Sequence, residues 1–232
     1  MPTTRNTSPT IILLHGAWAD GSSWHEVATL LMRMDYRVVA AQLPLSSFRD
    51  DVEALRQWIR RQSDPVVLVG HSYGGAVITA AAAGEPNVKS LVYVAAIVPD
   101  TGETVGQVFT RMPPHAMAPT LQPDSNGYIW MSEEGFRAAV APNVSSEDAT
   151  WMTATQKPIS VKCLSEPVEH AGWRELPSWF LIAEKDRMVS PDTQRFTASR
   201  MRSVVVSRAV DHHPLASDPR AVSDLIDQAA RA

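Results

Sequence analysis

The residues Gly70-His71-Ser72-Tyr73-Gly74 set a hydroxyl between two glycines, with Gly75 directly behind. A G-x-S-x-G pattern is short enough to arise by chance, so its flanks decide what it means. The apolar run Val66-Val67-Leu68-Val69 precedes it and a stretch rich in small residues follows it. Strand, sharp turn and helix in that order make an elbow that lifts a serine clear of a sheet and over a helix N-terminus, where negative charge is favoured. Gly70 and Gly74 then leave room for the neighbouring backbone. The competing reading, a glycine-rich turn with an incidental serine, does not explain flanks of this kind.

A serine hydroxyl attacks only when a base takes its proton. Among 7 histidines, His212 lies in the loop before the last helix, beyond the last apolar run. In sheets bearing such an elbow, the order along the chain is serine, acid, histidine. His213 is the rival; the spacing to Pro214 and to Asp218-Pro219 favours His212. His71 is expected to pack beneath the elbow, His25 to sit in a capped helix, and His115 and His170 at the surface. The imidazole needs an orienting acceptor. Asp186, in Ala183-Glu184-Lys185-Asp186-Arg187, fits. Glu184 abuts the strand and Asp211 reads as a turn residue. The intermediate also needs an oxyanion hole. The Tyr73 N–H is one expected donor and the Ala17 N–H, in His15-Gly16-Ala17-Trp18, the other. Gly16, Trp18, Phe109 and Trp130 are expected to line the substrate pocket, whose aromatic faces suit an apolar or aromatic substrate.

These residues need a frame. Six short apolar runs read as buried strands of a parallel sheet: Thr10–Leu14, Tyr36–Ala41, Pro65–Val69, Val88–Ala95, Ser178–Ala183 and Ser203–Ser207. Helical patterns between them supply the crossovers. The first opens with the capping box Ser23-Trp24-His25-Glu26 and buries Trp24, Val27, Leu31 and Met34. The second, from about Ser47 to Arg61, buries Val52, Leu55 and Ile59. The third, after Ser72, presents Ala76, Ala80 and Ala81 to the sheet. Ser190-Pro191 and Asp218-Pro219 each pair an N-cap with a first-turn proline. The stretch 99–176 breaks the rhythm with its prolines and with Phe109, Trp130, Phe136, Trp151 and Trp173. Exposed aromatics are costly, so it reads as a cap. The expected division is core 1–98, cap 99–176 and core 177–232.

Composition removes several classes. The chain has 232 residues, 44% hydrophobic and 20% charged, with a net charge of −4. That suits a globular domain and argues against a nucleic-acid binder. No apolar run is long enough for a bilayer, and the polar stretch Met1–Pro9 lacks the apolar core of a secretory signal; the expectation is a cytoplasmic protein away from membranes. Cys163 is the single cysteine, without neighbouring ligand types, so a buried free thiol is expected rather than zinc. Gly16 and Gly21 lack the G-x-G-x-x-G spacing, and no acid ends Val39-Ala40-Ala41-Gln42, which sets aside a dinucleotide site.

The chain resembles the α/β-hydrolase superfamily, and within it the branch of plant methylesterases and hydroxynitrile lyases with their bacterial esterase relatives. The resemblance rests on Leu13-Leu14-His15-Gly16-Ala17 with Trp24, on Gly70-His71-Ser72-Tyr73-Gly74-Gly75, on Leu91-Val92-Tyr93-Val94-Ala95-Ala96 with Pro99-Asp100, and on Ala183-Glu184-Lys185-Asp186-Arg187. It is weakest in the cap. It implies Ser72, Asp186 and His212 as triad and Ala17 and Tyr73 as oxyanion donors, without metal or organic cofactor. The lyases of this branch carry threonine at Gly16 and lysine at His213, so hydrolysis of a small carboxylic ester is favoured. The alternatives are lyase-like or other acyl-compound cleavage (a lactone, a thioester, a carbon–carbon bond) and a non-catalytic small-ligand receptor. The expected partner is a small-molecule ester, with a homodimer open. Haloalkane dehalogenases and epoxide hydrolases use an aspartate nucleophile, which Ser72 replaces.

Overall fold

The structure is a computed structural model that describes residues 8–232. The polar stretch before Ser8, on which the absence of a secretory signal was read, lies outside the described residues. Six strands form one sheet: β1 (Thr10–Leu14), β2 (Arg37–Ala41), β3 (Val66–His71), β4 (Val88–Val94), β7 (Ser178–Ala183) and β8 (Val204–Arg208). Their order is β2-β1-β3-β4-β7-β8, and all five pairings are parallel. Parallel neighbours need crossovers. These include α1 (His25–Arg33), α2 (Phe48–Arg60), α3 (Tyr73–Ala81) and α8 (Pro191–Met201), with α10 (Pro219–Arg231) closing the chain.

Side chains alternate across a strand, and the core divides accordingly. Ile12, Leu14, Leu68, Leu91, Tyr93 and Phe180 face α2, α3 and α8. Ile11, Leu13, Val67, Val69, Val92 and Leu181 face α1 and α10. Not every expected strand is buried: β2 is only partly covered and β8 is largely exposed, because each is an edge with one neighbour. Among the described residues no helix is long and apolar enough to cross a membrane.

The late caps form as read: Ser190 accepts from Asp192 N–H and Asp218 from Ala221 N–H, each ahead of a first-turn proline. The first helix differs. Asp20, not Ser23, accepts a backbone N–H, capping a 3₁₀ turn over Gly21–Trp24. Helix α1 ends at Arg33, so Met34 lies past its last turn and is exposed, while Trp24, Val27 and Leu31 are fully buried.

Between β4 and β7 the chain leaves the sheet. It forms α4 (Val105–Phe109), β5 (Tyr128–Ile129), α5 (Glu133–Gly135), a π-helical turn over Phe136–Val140, α6 (Ser146–Thr155), β6 (Ile159–Ser160) and α7 (Lys162–Ser165). Strands β5 and β6 pair antiparallel. Met131, Phe136, Ala139, Val140 and Ala141 form a small core that also takes in Met188, with Trp18 and Phe109 packed against it. The segment thus rests on the loops after β1 and β7. Its aromatics are not uniformly buried: Phe136 and Trp173 are, but Trp130 and Trp151 stand in solvent.

Candidate active site

Ser72 joins β3 to α3 with φ 52° and ψ −122°, a left-handed turn that a residue with a Cβ holds only when its surroundings insist. They do. Its N–H donates to Val94 C=O, and its C=O accepts from Gly75 and Ile97 N–H. A Cβ at Gly70 would sit 2.5 Å from Gly74 O, and one at Gly74 2.7 Å from His15 O, so both positions exclude a side chain.

His212 follows β8 in the loop before α9 (Pro214–Ser217). Its Nε2 lies 3.0 Å from Ser72 Oγ and its Nδ1 2.7 Å from Asp186 Oδ2. A carboxylate only accepts, so Nδ1 carries the proton and Nε2 is free to accept from the serine hydroxyl. All three residues are buried. Asp186 Oδ1 accepts from Met188 N–H (2.7 Å) and Val189 N–H (2.8 Å). Its Oδ2 accepts from the Gln194 amide (2.8 Å) as well as from His212. Glu184 is engaged elsewhere, with Arg195 and Ser207. Asp211 is more than a turn residue: it is buried and accepts from His213 N–H, Ser217 Oγ and, across from the inserted segment, Asn143 Nδ2 at 2.7 Å.

The other histidines sort by burial. His25, His115 and His170 are exposed. His71 is buried, its ring against those of His212 and His213, and its Nε2–H donates to the His212 carbonyl at 2.7 Å, so it also fixes the base's backbone. Burial lowers its pKa well below the ordinary value. The His213 ring packs against His71, ring centroids 5.7 Å apart, and burial lowers its pKa to about 4.

The loop after β1 lies against the nucleophile: a Cβ at Gly16 would be 2.9 Å from Ser72 Cβ. His15 sets that approach. Its Nδ1–H donates to Gly16 C=O at 2.8 Å and its Nε2 accepts from Leu43 N–H at 3.0 Å. Both bonds need a neutral ring, and burial lowers its pKa to about 4. Neither Ala17 nor Tyr73 donates its N–H to another backbone group outside the helices and strands, and Tyr73 opens α3, where N–H groups lack helical partners. Both residues stand in the segments beside Ser72, which makes their N–H groups the candidates to receive negative charge there.

Two of the expected lining residues border cavities. Trp18 lines one of about 160 Å³ with Ala17, His71, Phe136, Val140 and His213, and its indole N–H holds Ile129 C=O at 2.9 Å. Phe109 borders another of about 260 Å³ with Leu121 and Met188. Trp130 does not belong with them. It is 56% exposed and donates to Asp124 at 3.3 Å. Extended backbone turns successive side chains to opposite sides; Ile129 and Met131 face inward and are buried, which sends Trp130 out. Among the described residues no group of three or more His, Cys, Asp or Glu is placed to hold a metal ion.

Sequence reasoning missed His15 as the holder of its own loop, Gln194 behind Asp186, and Asn143. Gln194 is fully buried, accepts from Ala183 N–H and donates to Asp186 and Val189 C=O. It lies eight residues beyond the acid, in the first turn of α8, and nothing in the sequence marks it as buried.

Known proteins show the same frame. Residues 11–225 match the model of the alpha/beta hydrolase family. An alpha/beta hydrolase, nvfD, of Aspergillus novofumigatus is 30% identical, covering 96% of each chain. Methylesterase 8 of Arabidopsis thaliana is 26% identical over 92% of this chain and 86% of its own. In fold, a pyrethroid hydrolase from Sphingobium faniae superposes with a TM-score of 0.81 at 24% identity, covering 97% of this chain and 98% of that one. Given a family match over nearly its whole length and the parallel six-stranded sheet beneath it, this chain belongs to the alpha/beta hydrolase family.

Proposed function

We propose that the protein hydrolyses a small carboxylic ester through an acyl-enzyme. The observation that carries this reading is the relay Ser72–His212–Asp186, with contacts of 3.0 and 2.7 Å. His212 Nε2 takes the Ser72 proton as Oγ attacks the ester carbonyl. The carbonyl π electrons move to oxygen, and the oxyanion accepts from Ala17 and Tyr73 N–H. Asp186 holds the imidazolium. The tetrahedral species collapses, the carbon–alkoxide bond breaks, and His212 gives its proton to the departing alcohol. Water then repeats the sequence on the acyl-enzyme, releasing the acid and restoring Ser72. The residues after β4 act as a cap that contributes Phe136 and Val140 to the wall. No cofactor is required; the reaction needs only the ester and water. A cytoplasmic setting agrees with one buried, unpaired cysteine.

Relatives named for ester cleavage support the substrate class, among them a carbendazim-hydrolysing esterase from Nocardioides, 34% identical over 46% of this chain. The lyase alternative is weaker. Stabilising a departing cyanide calls for a cation, and the residue after the base is a histidine that burial keeps neutral at pH 7. A receptor would have no use for a relay with every hydrogen bond made.

The test measures p-nitrophenol release from acetate and butyrate esters beside benzaldehyde release from mandelonitrile, with fluorophosphonate labelling of Ser72. Ester turnover and labelling, both lost in Ser72→Ala, are expected. Benzaldehyde release without ester turnover makes it a lyase; neither product and no label make it a receptor.

A further inference from the structure

A second buried carboxylate stands behind the site. Asp51 lies in the first turn of α2, where acids are usually solvated, yet it is fully buried. Its Oδ1 accepts from Leu45 N–H at 2.7 Å. Its Oδ2 accepts from the Tyr73 hydroxyl at 2.6 Å and faces the Cys163 thiol at 3.6 Å. Burial raises Asp51 to about 6. The same burial, with the charge of Asp51, holds the Tyr73 phenol protonated and therefore donating.

Burying a carboxylate is expensive, and apolar residues of similar size often stabilise a fold better. What this one touches is specific. Tyr73 is the residue after the nucleophile, and its N–H is one of the two donors in the proposed oxyanion hole. Leu45, the other strong donor, holds φ 59°, and its C=O accepts from Ser160 N–H of β6. Lys157, just before β6, bonds Leu43 C=O in the same loop. The carboxylate therefore gathers α2, the elbow, the loop after β2 and the inserted segment at one point, beneath the oxyanion donor.

We propose that Asp51 is a positioning residue for the oxyanion hole: by pinning the Tyr73 phenol it fixes the direction of the Tyr73 N–H. The side chain and main chain of Tyr73 diverge from one Cα. A ring held at its hydroxyl and packed edge-on against Phe48 at 6.4 Å leaves the first peptide of α3 little freedom. This proposal rests on the ester-hydrolase reading above.

Tyr73→Phe tests it, since it deletes the hydroxyl and keeps both ring and N–H. Deleting an oxyanion donor costs about 10²–10³ in kcat. A donor loosened rather than lost should cost about tenfold in kcat, with KM within about twofold. Asp51→Asn should lower kcat in the same way, and the double variant should be no worse than the more impaired single. A trifluoromethyl ketone, which adds Ser72 Oγ and places its own oxyanion in the hole, should lose affinity by the factor that kcat/KM loses. A purely structural bond would lower Tm and leave that ratio alone. Wild-type kcat in folded Tyr73→Phe, a loss confined to KM, or undiminished ketone affinity overturns the proposal. Should Asp51→Asn not fold, Tyr73→Phe decides alone. A wild-type protein that neither turns over esters nor takes a fluorophosphonate instead sinks the hydrolase reading itself, before any variant is made.

Discussion

Replacing Gly16 by alanine puts one carbon into the tightest approach of the site. The added Cβ would stand 2.9 Å from Ser72 Cβ and 3.3 Å from His71 Nδ1. Carbon atoms rest comfortably at about 3.5–4.0 Å, so something must retreat by about 0.6 Å or more. Ser72 cannot do so cheaply: its N–H and C=O are both bonded, to Val94 and to Gly75 and Ile97. His71 is tied to the His212 carbonyl, so pushing it disturbs the base. The loop after β1 is the part left to move. His15 grips it from behind through Gly16 C=O, and the displacement passes to the next peptide, whose N–H belongs to Ala17.

Overpacking of this kind costs about 1–3 kcal/mol, or a fall in Tm of about 2–12 °C in a chain of this length. A 1 Å misplacement can cost about 10²-fold in rate, so a shift of about 0.6 Å should lower kcat about tenfold. The assay is kcat and KM for p-nitrophenyl acetate beside a thermal melt. Gly16→Ala should be folded, somewhat less stable, and slow with little change in KM. Wild-type kcat in a variant with an unchanged melt would refute the reasoning, because the Cβ would then have found room without moving either donor or nucleophile.

Other expectations are shorter. His212→Ala should abolish turnover, while His213→Ala should keep kcat within about tenfold and lose stability through the cavity it leaves; the reverse ranking moves the base to His213. Stability should fall on acidification, measured as the urea midpoint at pH 7, 5.5 and 4.5. His15 and His213 have folded values of about 4, below their unfolded values, so each contributes stability above pH 6.5 that disappears as pH falls through 4, worth about 3 kcal/mol apiece. Asp51, raised to about 6, works in the opposite sense and returns about 3 kcal/mol between pH 6 and 4. His71 adds to the loss, and a flat or rising midpoint contradicts neutral buried rings. Asn143→Ala, which releases the inserted segment from Asp211, should raise KM several-fold without unfolding the protein; an unchanged KM separates that contact from substrate binding. Trp130→Ala should leave kcat/KM within about twofold for small esters, as befits an exposed indole, and a large loss would return Trp130 to the pocket.

What the sequence made legible is what short-range chemistry dictates. Val66–Val69, the glycines and the small residues after Ser72 prescribe strand, turn and helix within a dozen positions, and that segment folds as written. The late N-caps are equally local. Trp130 was misplaced because an aromatic in an irregular stretch carries no periodicity to say which side it faces, and one step along the backbone reverses it. Asp20 took the place of Ser23 as a cap because both are good caps and the loop after β1, which turns through Trp18 at φ 57°, delivers Asp20 to the start of the 3₁₀ turn ahead of α1, which has no side-chain cap of its own. Gln194, Asn143 and Asp51 were invisible for another reason. Asn143 and Asp51 act through partners 68 and 22 positions away, Gln194 through one eight positions back across a loop, and an amide or acid gives no sign in the sequence that it is buried.

The histidines around Ser72 divide their work according to what their surroundings allow. His15 uses both nitrogens to hold the loop after β1. His71 spends its one N–H on the backbone of the base, and its Nδ1 is buried without a partner, which makes a charged ring there doubly unfavourable. His213 is buried against His71. Only His212 spans a hydroxyl and a carboxylate, so the relay gives a proton taken from Ser72 one place to rest. A lysine in place of His213 would enter the same dry surroundings, where an ammonium loses its proton more easily than it keeps its charge. The arrangement therefore favours a reaction whose developing charge lies on the substrate oxygen, between two backbone N–H groups, over one that needs a second cation beside the base. Ester hydrolysis is such a reaction.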